Sequence, residues 1–425
     1  MTNLIKLKRG LALRVGVLVT TGLLLAACGS GAATSSSSGD SSGSAASSEP
    51  FVIGATNALS GPYAAAGTNL AAGAQAGVDA VNAAGGINGR QVELLSVDDA
   101  GDPAKAQLAV KDLVENKNVD FLIPNAISSV RQVTLPYETA NKVFTITGSA
   151  TGELADPATY PYSFLNGELN ERKTGGITQA VQQANLGTKI GLLYTNATAQ
   201  KAQAATLPSD AEKAGLTLVD SIEIANGATD VTAELAKMQA DGVQVVLGGG
   251  QYSTFVQTVM SGMETLGWDA PVYFFPEAIT GDVHTQIPPS VSSQFHALME
   301  AATIDTGNQS QAMTDFLAAT SADGPITYLF AMALSYDAVW LAKWVYETAQ
   351  EKSGNTSAES LKAAAESIGE SDFHDPQLAF VPNPGWNSTT HTTANFDYST
   401  FYGVITDNPI ENGRYKGELL SPPSG

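Results

Sequence analysis

The feature that most constrains how this chain can fold is an alternation, from Phe51 onward, of short apolar runs with helical patterns. The runs at 51–56, 92–97, 119–123, 143–147, 190–194, 216–222, 243–247 and 272–275 are mostly continuous in apolar residues rather than alternating. Parallel strands buried on both faces need that pattern. The helices between them have readable ends. Asp102-Pro103 supplies an N-cap and a proline at the first helical position. Ala106, Ala109, Val110, Leu113 and Val114 then form an apolar stripe at helical spacing. A helix ending near Ala84 stops at Gly85-Gly86, and Asn88-Gly89 turns the chain into the next strand. Asp230 opens a helix over 231–240, which Gly242 closes. Strand–helix alternation of this kind predicts the α/β class with doubly wound parallel sheets.

The alternation falls into two blocks, roughly 51–165 and 189–275, each the size of a small α/β lobe. Helices return at 326–349 with Tyr328, Phe330, Tyr336, Trp340 and Trp344, and 378–405 reads as short strands and turns. The expected architecture is two Rossmann-like lobes joined by a hinge that the chain crosses more than once. Its parts are 51–168 (lobe 1), 169–302 (lobe 2), 303–376 (return to lobe 1) and 377–425 (return to lobe 2, and the tail). With 43% hydrophobic and 15% charged residues, large cores can form.

At the N-terminus, Lys6, Lys8, Arg9 and Arg14 precede an apolar run at 15–25 that ends in Leu25-Ala26-Ala27-Cys28. This order makes 1–27 a secretion signal, with an apolar run too short to span a membrane as a helix. The small-small-Cys ending resembles the bacterial lipobox, in which the cysteine is lipidated and begins the mature protein. Residues 28–50, dominated by Ser, Gly, Ala and Thr, read as a flexible tether. Cys28 is the only cysteine, so no disulfide can form within the chain. The expected location is extracytoplasmic, lipid-anchored to the bacterial cell membrane. A net charge of −21 repels nucleic acid and anionic headgroups, so no nucleic-acid partner is expected, and membrane contact only through the anchor.

In open parallel sheets, ligands bind beyond the carboxyl ends of the strands. In the first block those loops carry Tyr63, Ser128, Ser129, Ser149 and Thr151. Hydroxyls and free amides at helix starts suit a carboxylate. In the second block they carry Gln251 and Glu277, the latter able to meet an ammonium. Ser128 and Ser149 serve equally well as plain N-caps, and Glu277 as a solvated loop carboxylate. Their joint placement at strand ends favours a ligand. Arg131 is the only cationic residue found in or just after these loops, so the cation opposite Glu277 is expected to come from the ligand. The histidines His284, His296, His374 and His391 share no metal-ligand spacing, and neither a nucleophile elbow nor a phosphate loop is present. No enzyme activity, cofactor or metal is expected.

The runs Leu59-Ser60-Gly61-Pro62, Ile87-Asn88-Gly89-Arg90 and Asp98-Asp99-Ala100-Gly101-Asp102-Pro103 resemble the branched-chain amino-acid-binding family. These are receptors of ABC importers with the type I periplasmic-binding fold. The resemblance implies a monomer whose two lobes close on an amino acid or related small carboxylate and deliver it to a membrane permease. It also implies that Ser128 and Thr151, with backbone help near Ser149, hold an α-carboxylate, and that Glu277 holds an α-ammonium. The aspartates of the last run read as turn and cap residues rather than metal ligands. The sequence departs from leucine-type binders at Ala64-Ala65-Ala66, Thr198-Ala199-Gln200 and Gln251-Tyr252, which implies a larger or more polar pocket. A ligand-sensing receptor for an amide or an aromatic or aliphatic carboxylate is the alternative, and an extracellular hydrolase ranks below it.

Overall fold

All eight apolar runs are strands in the computed structural model, each beginning and ending within two residues of its expected bounds. The structure describes residues 49–422 except 149, 282, 306, 308–309, 321–325, 370–372, 374, 381–382, 394–397 and 407–413, and the side chains at 399–400. Cys28, the signal segment, nearly all of the tether, Ser149 and His374 therefore lie outside the described residues.

The first sheet contains β1 (Phe51–Asn57), β2 (Val92–Asp98), β3 (Phe121–Ile123), β4 (Thr145–Thr147) and β5 (Ser163–Leu165). Its order is β2-β1-β3-β4-β5, and every pair is parallel. Helices α1 (Ala64–Ala83), α2 (Pro103–Glu115) and α3 (Ser128–Ala140) follow its first three strands. The Asp102 side chain caps α2 by accepting from the amides of Ala104 and Lys105. The two preceding aspartates fix loops. Asp98 accepts from the amides of Leu59 and Ser60 and from the Ser60 hydroxyl, at 2.9, 3.2 and 2.7 Å. Buried Asp99 accepts from the Asn125 side-chain amide with both oxygens, at 2.9 Å each. The Asp-Asp run thus ties down the loops after β1 and β3.

The second sheet contains β6 (Lys189–Thr195), β7 (Thr217–Ile224), β8 (Val245–Gly249), β9 (Val272–Phe274), β10 (Phe295–Glu300), β11 (Tyr402–Ile405) and β12 (Gly417–Leu419). Its order is β12-β11-β10-β9-β8-β6-β7; β11 and β12 add on antiparallel, and the other pairs are parallel. Helices α4 (Lys173–Ala184), α5 (Thr198–Lys213), α6 (Thr232–Ala240) and α7 (Tyr252–Leu266) cover it. Neither β5, three residues long, nor β10, interrupted by His296 and ended by Glu300, shows an unbroken apolar run.

Three further helices, α8 (Gln311–Thr320), α9 (Leu329–Ser353) and α10 (Ala358–Glu366), return to the first sheet. Phe316, Val339 and Leu361 share one core with Ile53, Phe121 and Ile146. Helix α9 lies so close to α1 that a Cβ on Gly73 would stand 1.9 Å from the Met332 carbonyl oxygen. Only glycine fits there. The fold is thus two doubly wound lobes, with the antiparallel edge of the second made from the C-terminal part of the chain.

Candidate functional site

Each sheet has a point where its strand order reverses, between β1 and β3 in the first and between β6 and β8 in the second. Loops leaving such a point diverge to opposite faces and open a crevice. One cavity joins both crevices. The first lobe lines it with Tyr63, Gly67, Leu70, Asn125 and Ser128, and the second with Ala199, Gln251, Tyr252 and Glu277. Tyr328, Phe330 and Leu334 come from the start of α9. Counted with its open mouth, the space is about 740 Å³, within the range of small-molecule sites. Tyr63 and Tyr252 meet across it with ring centroids 5.7 Å apart, and Asn226 donates to the Tyr63 hydroxyl at 3.4 Å. Tyr252 holds a left-handed backbone conformation, φ +67°, which a bulky side chain adopts at an energetic cost.

On the first-lobe side, Asn125 Oδ1 accepts from the Ile127 amide at 3.0 Å, and the Ile127 carbonyl accepts from the amides of Val130 and Arg131. Among the described residues, the amides of Ser128 and Ser129 at the start of α3 have no acceptor. Two free N–H groups at a helix N-terminus favour an anion.

A polar chain leads from there to the second lobe. Asn170 donates to Ser128 Oγ at 3.5 Å and accepts from Lys173 Nζ at 3.4 Å. Lys173, 1% exposed, then donates to Glu277 Oε1 at 2.6 Å. Gln203 donates to the same oxygen at 3.0 Å, while Glu277 Oε2 is buried without a partner among the described residues. Lys173 also stands 3.6 Å from Glu168 and 5.9 Å from the centre of the Phe330 ring.

Burial shapes the ionisation of this cluster. It pushes the Glu168 carboxyl up to about 7, against the opposing pull of Lys173 and the Tyr402 hydroxyl. Glu300 is raised well above the carboxylate range, by burial and then by the charge of Glu168. For Lys173 burial disfavours the cation, but Glu277, Glu168 and Glu300 more than offset it and its pKa rises.

A family model described as Periplasmic binding protein matches residues 50–395, most of the chain. The chain belongs to the periplasmic binding protein family. The binding protein is 26% identical, over 67% of its length and 75% of the relative's, to the leucine-, isoleucine-, valine-, threonine- and alanine-binding protein of Pseudomonas aeruginosa. Its fold matches the branched-chain amino acid transporter substrate-binding protein of Streptococcus pneumoniae in complex with isoleucine (TM-score 0.69, 24% identity, 88% of this chain and all of that one). It likewise matches a periplasmic binding protein type 1 from Bordetella pertussis (TM-score 0.73, 20% identity, 88% and 100% coverage). The family resemblance read from the three motifs and the type I fold both hold, and the role of the binding protein is solute binding.

Of the expected site residues, Tyr63, Ser128, Gln251 and Glu277 line the cavity of the binding protein. Ser129 and Thr151 are not among the described lining residues, although Thr151 is buried with its hydroxyl unpartnered among them. Ser149 lies outside the described residues. One expectation is corrected: the ligand is not the only cation available to Glu277, because Lys173 reaches it from the start of α4. Lys173 is distant in sequence from the pocket loops read from the strand ends, and of its described near neighbours along the chain only Asn170, three residues before it, lines the cavity. Arg131 is buried in an ion pair with Glu138 at 2.7 Å, and does not line the cavity. The sequence reading also missed Asn170, Tyr328 and Phe330 as site residues. The last two had a signal, since aromatics cluster at the start of the 326–349 helical pattern.

Proposed function

We propose that this protein is the extracytoplasmic receptor of an ABC importer, holding an amino acid or related small carboxylate between its lobes and delivering it to a membrane permease. The observation that carries this reading is the polarity of the cavity, with two free amides and Ser128 at one end and the unpartnered Glu277 Oε2 at the other. A zwitterion fits that arrangement, its carboxylate at the start of α3 and its ammonium on Glu277. Its side chain lies among Tyr63, Tyr252, Tyr328 and Phe330, where Ala66 and Ala199 leave room. The names of the relatives, amino-acid binders, support the same class. Lipidation of Cys28 would hold the receptor at the membrane on its Ser/Gly-rich tether. No helix among the described residues is long and apolar enough to cross a membrane.

A thermal-shift screen of amino acids, amides and small carboxylates tests the reading, followed by calorimetry on each stabilising compound. A ligand at a hundredfold excess over Kd stabilises the native state by about 2.7 kcal/mol. A screen in which amino acids leave the melting temperature unchanged would remove the amino-acid assignment. Fatty-acid labelling of wild type and Cys28→Ser tests the anchor, and equal labelling of both would exclude it.

A second reading rests on Lys173. Because that cation already pairs with Glu277, an uncharged donor such as a ligand amide could complete the site.

A further inference from the structure

Behind the cavity wall lies a cluster that solute capture by itself does not explain. Glu168, Lys173 and Glu300 are all buried, and none of them lines the cavity. With Glu277 they make three carboxylates against one ammonium. Glu300 has no hydrogen-bond donor to either side-chain oxygen among the described residues. Glu168 accepts from the Tyr402 hydroxyl, and its other oxygen has only Lys173, 3.6 Å away. Further groups acting on these carboxylates are Arg172, Tyr398 and Tyr328. Burial raises Glu300 well above the carboxylate range, and Lys173 answers Glu277 at hydrogen-bond distance, so Glu168 is left as the carboxylate whose charge is only partly compensated. A second positive charge delivered to the Glu277 end would complete the balance, because charges interact strongly where water is excluded.

Resting on the amino-acid reading above, we propose that Glu168 is a specificity-determining residue that makes capture selective for a ligand carrying an ammonium group, by giving up its proton as that charge arrives. The ligand ammonium keeps its protons, the Glu168 carboxylic acid loses one to the buffer, and the cluster gains one cation and one anion together. A ligand without an ammonium supplies no such cation, so Glu168 keeps its proton and that ligand is held more weakly.

The test is calorimetry on the mature protein near pH 7 in two buffers of different ionisation enthalpy. The probes are L-leucine, L-phenylalanine and L-threonine, with their des-amino counterparts 4-methylpentanoate, 3-phenylpropanoate and 3-hydroxybutanoate. An amino acid that binds should release up to about half a proton, given a Glu168 carboxyl that titrates about 7. Its des-amino counterpart should release none and bind at least about tenfold more weakly. Glu168→Gln, which can still accept from Tyr402, should abolish the release and narrow that ratio. The two-buffer comparison on wild type needs no variant, so a misfolded mutant cannot rescue the idea. Equal heats in both buffers for a bound amino acid would overturn it while leaving the solute-receptor reading intact. So would a des-amino probe that binds as tightly as its amino acid. If no probe binds, the amino-acid reading fails and this inference with it.

Discussion

The first lobe meets the cavity with the neutral groups Tyr63, Asn125 and Ser128, whereas the second brings the carboxylate of Glu277, backed by Lys173 and Glu168. The two lobes have doubly wound sheets of the same kind, so this difference does not come from topology. It comes from what stands behind the loops. In the first lobe the loops are tied by Asp98 and Asp99, whose side chains are occupied by backbone amides, Ser60 and Asn125. Their charges are spent on holding the chain in place. In the second, Glu277 keeps one oxygen free, and its ion-pair partner arrives from another helix. One wall therefore offers dipoles and the other offers charge.

The sharpest way to break this contrast is Glu277→Gln. It should weaken binding of an amino acid by about 2–5 kcal/mol by calorimetry, the usual cost of losing one partner of a buried charge pair. Ser128→Ala should cost less, about 1–3 kcal/mol, because the amides at the start of α3 would still hold the carboxylate. Reversal of that order would show that the neutral wall dominates recognition.

A pH titration of stability sharpens the charged side. Burial raises the Glu168 carboxyl from the ordinary value of 4.5 to about 7, so the folded protein holds this proton more tightly than the unfolded chain. The resulting stabilisation is complete below the unfolded value and is lost as pH rises through the folded one. Denaturant melts of ligand-free protein should show a loss on the order of 1–3 kcal/mol between about pH 5 and about pH 8. Glu168→Gln should flatten that slope. A flat wild-type profile would mean that the cluster is compensated by groups other than those named here.

The smallest effect is expected where the walls touch. Tyr63→Phe removes the long hydrogen bond from Asn226 but keeps the ring against Tyr252. Affinity should change by no more than about 1 kcal/mol. Small-angle scattering should still show the radius of gyration shrinking on ligand addition, as hinge closure requires. A variant that no longer contracts would make this contact part of the closing mechanism.

Much of the fold was legible in the residues themselves. Strands buried on both faces must be apolar throughout, and Asp102-Pro103 caps α2 through its own side chain, so neither depends on distant parts of the chain. Strand β10 was not legible. It carries His296 and ends in buried Glu300, a residue that only its tertiary neighbours can accommodate. The site divided in the same way. Tyr63, Ser128, Gln251 and Glu277 follow strands directly, and the rule that ligands sit beyond strand ends finds them.

Lys173 and Glu168 lie at a crossing between lobes, and no local pattern connects Lys173 to a loop 104 residues further on. By itself the sequence determined which segments are strands, which ends of them carry polar groups, and how acidic the whole chain is. Periodicity, capping and charge are properties of neighbours along the chain. Only the tertiary structure decided that a lysine stands behind Glu277 and that three glutamates share it. Burial and charge pairing are set by what the fold brings together across space, and those partners leave no trace in local spacing.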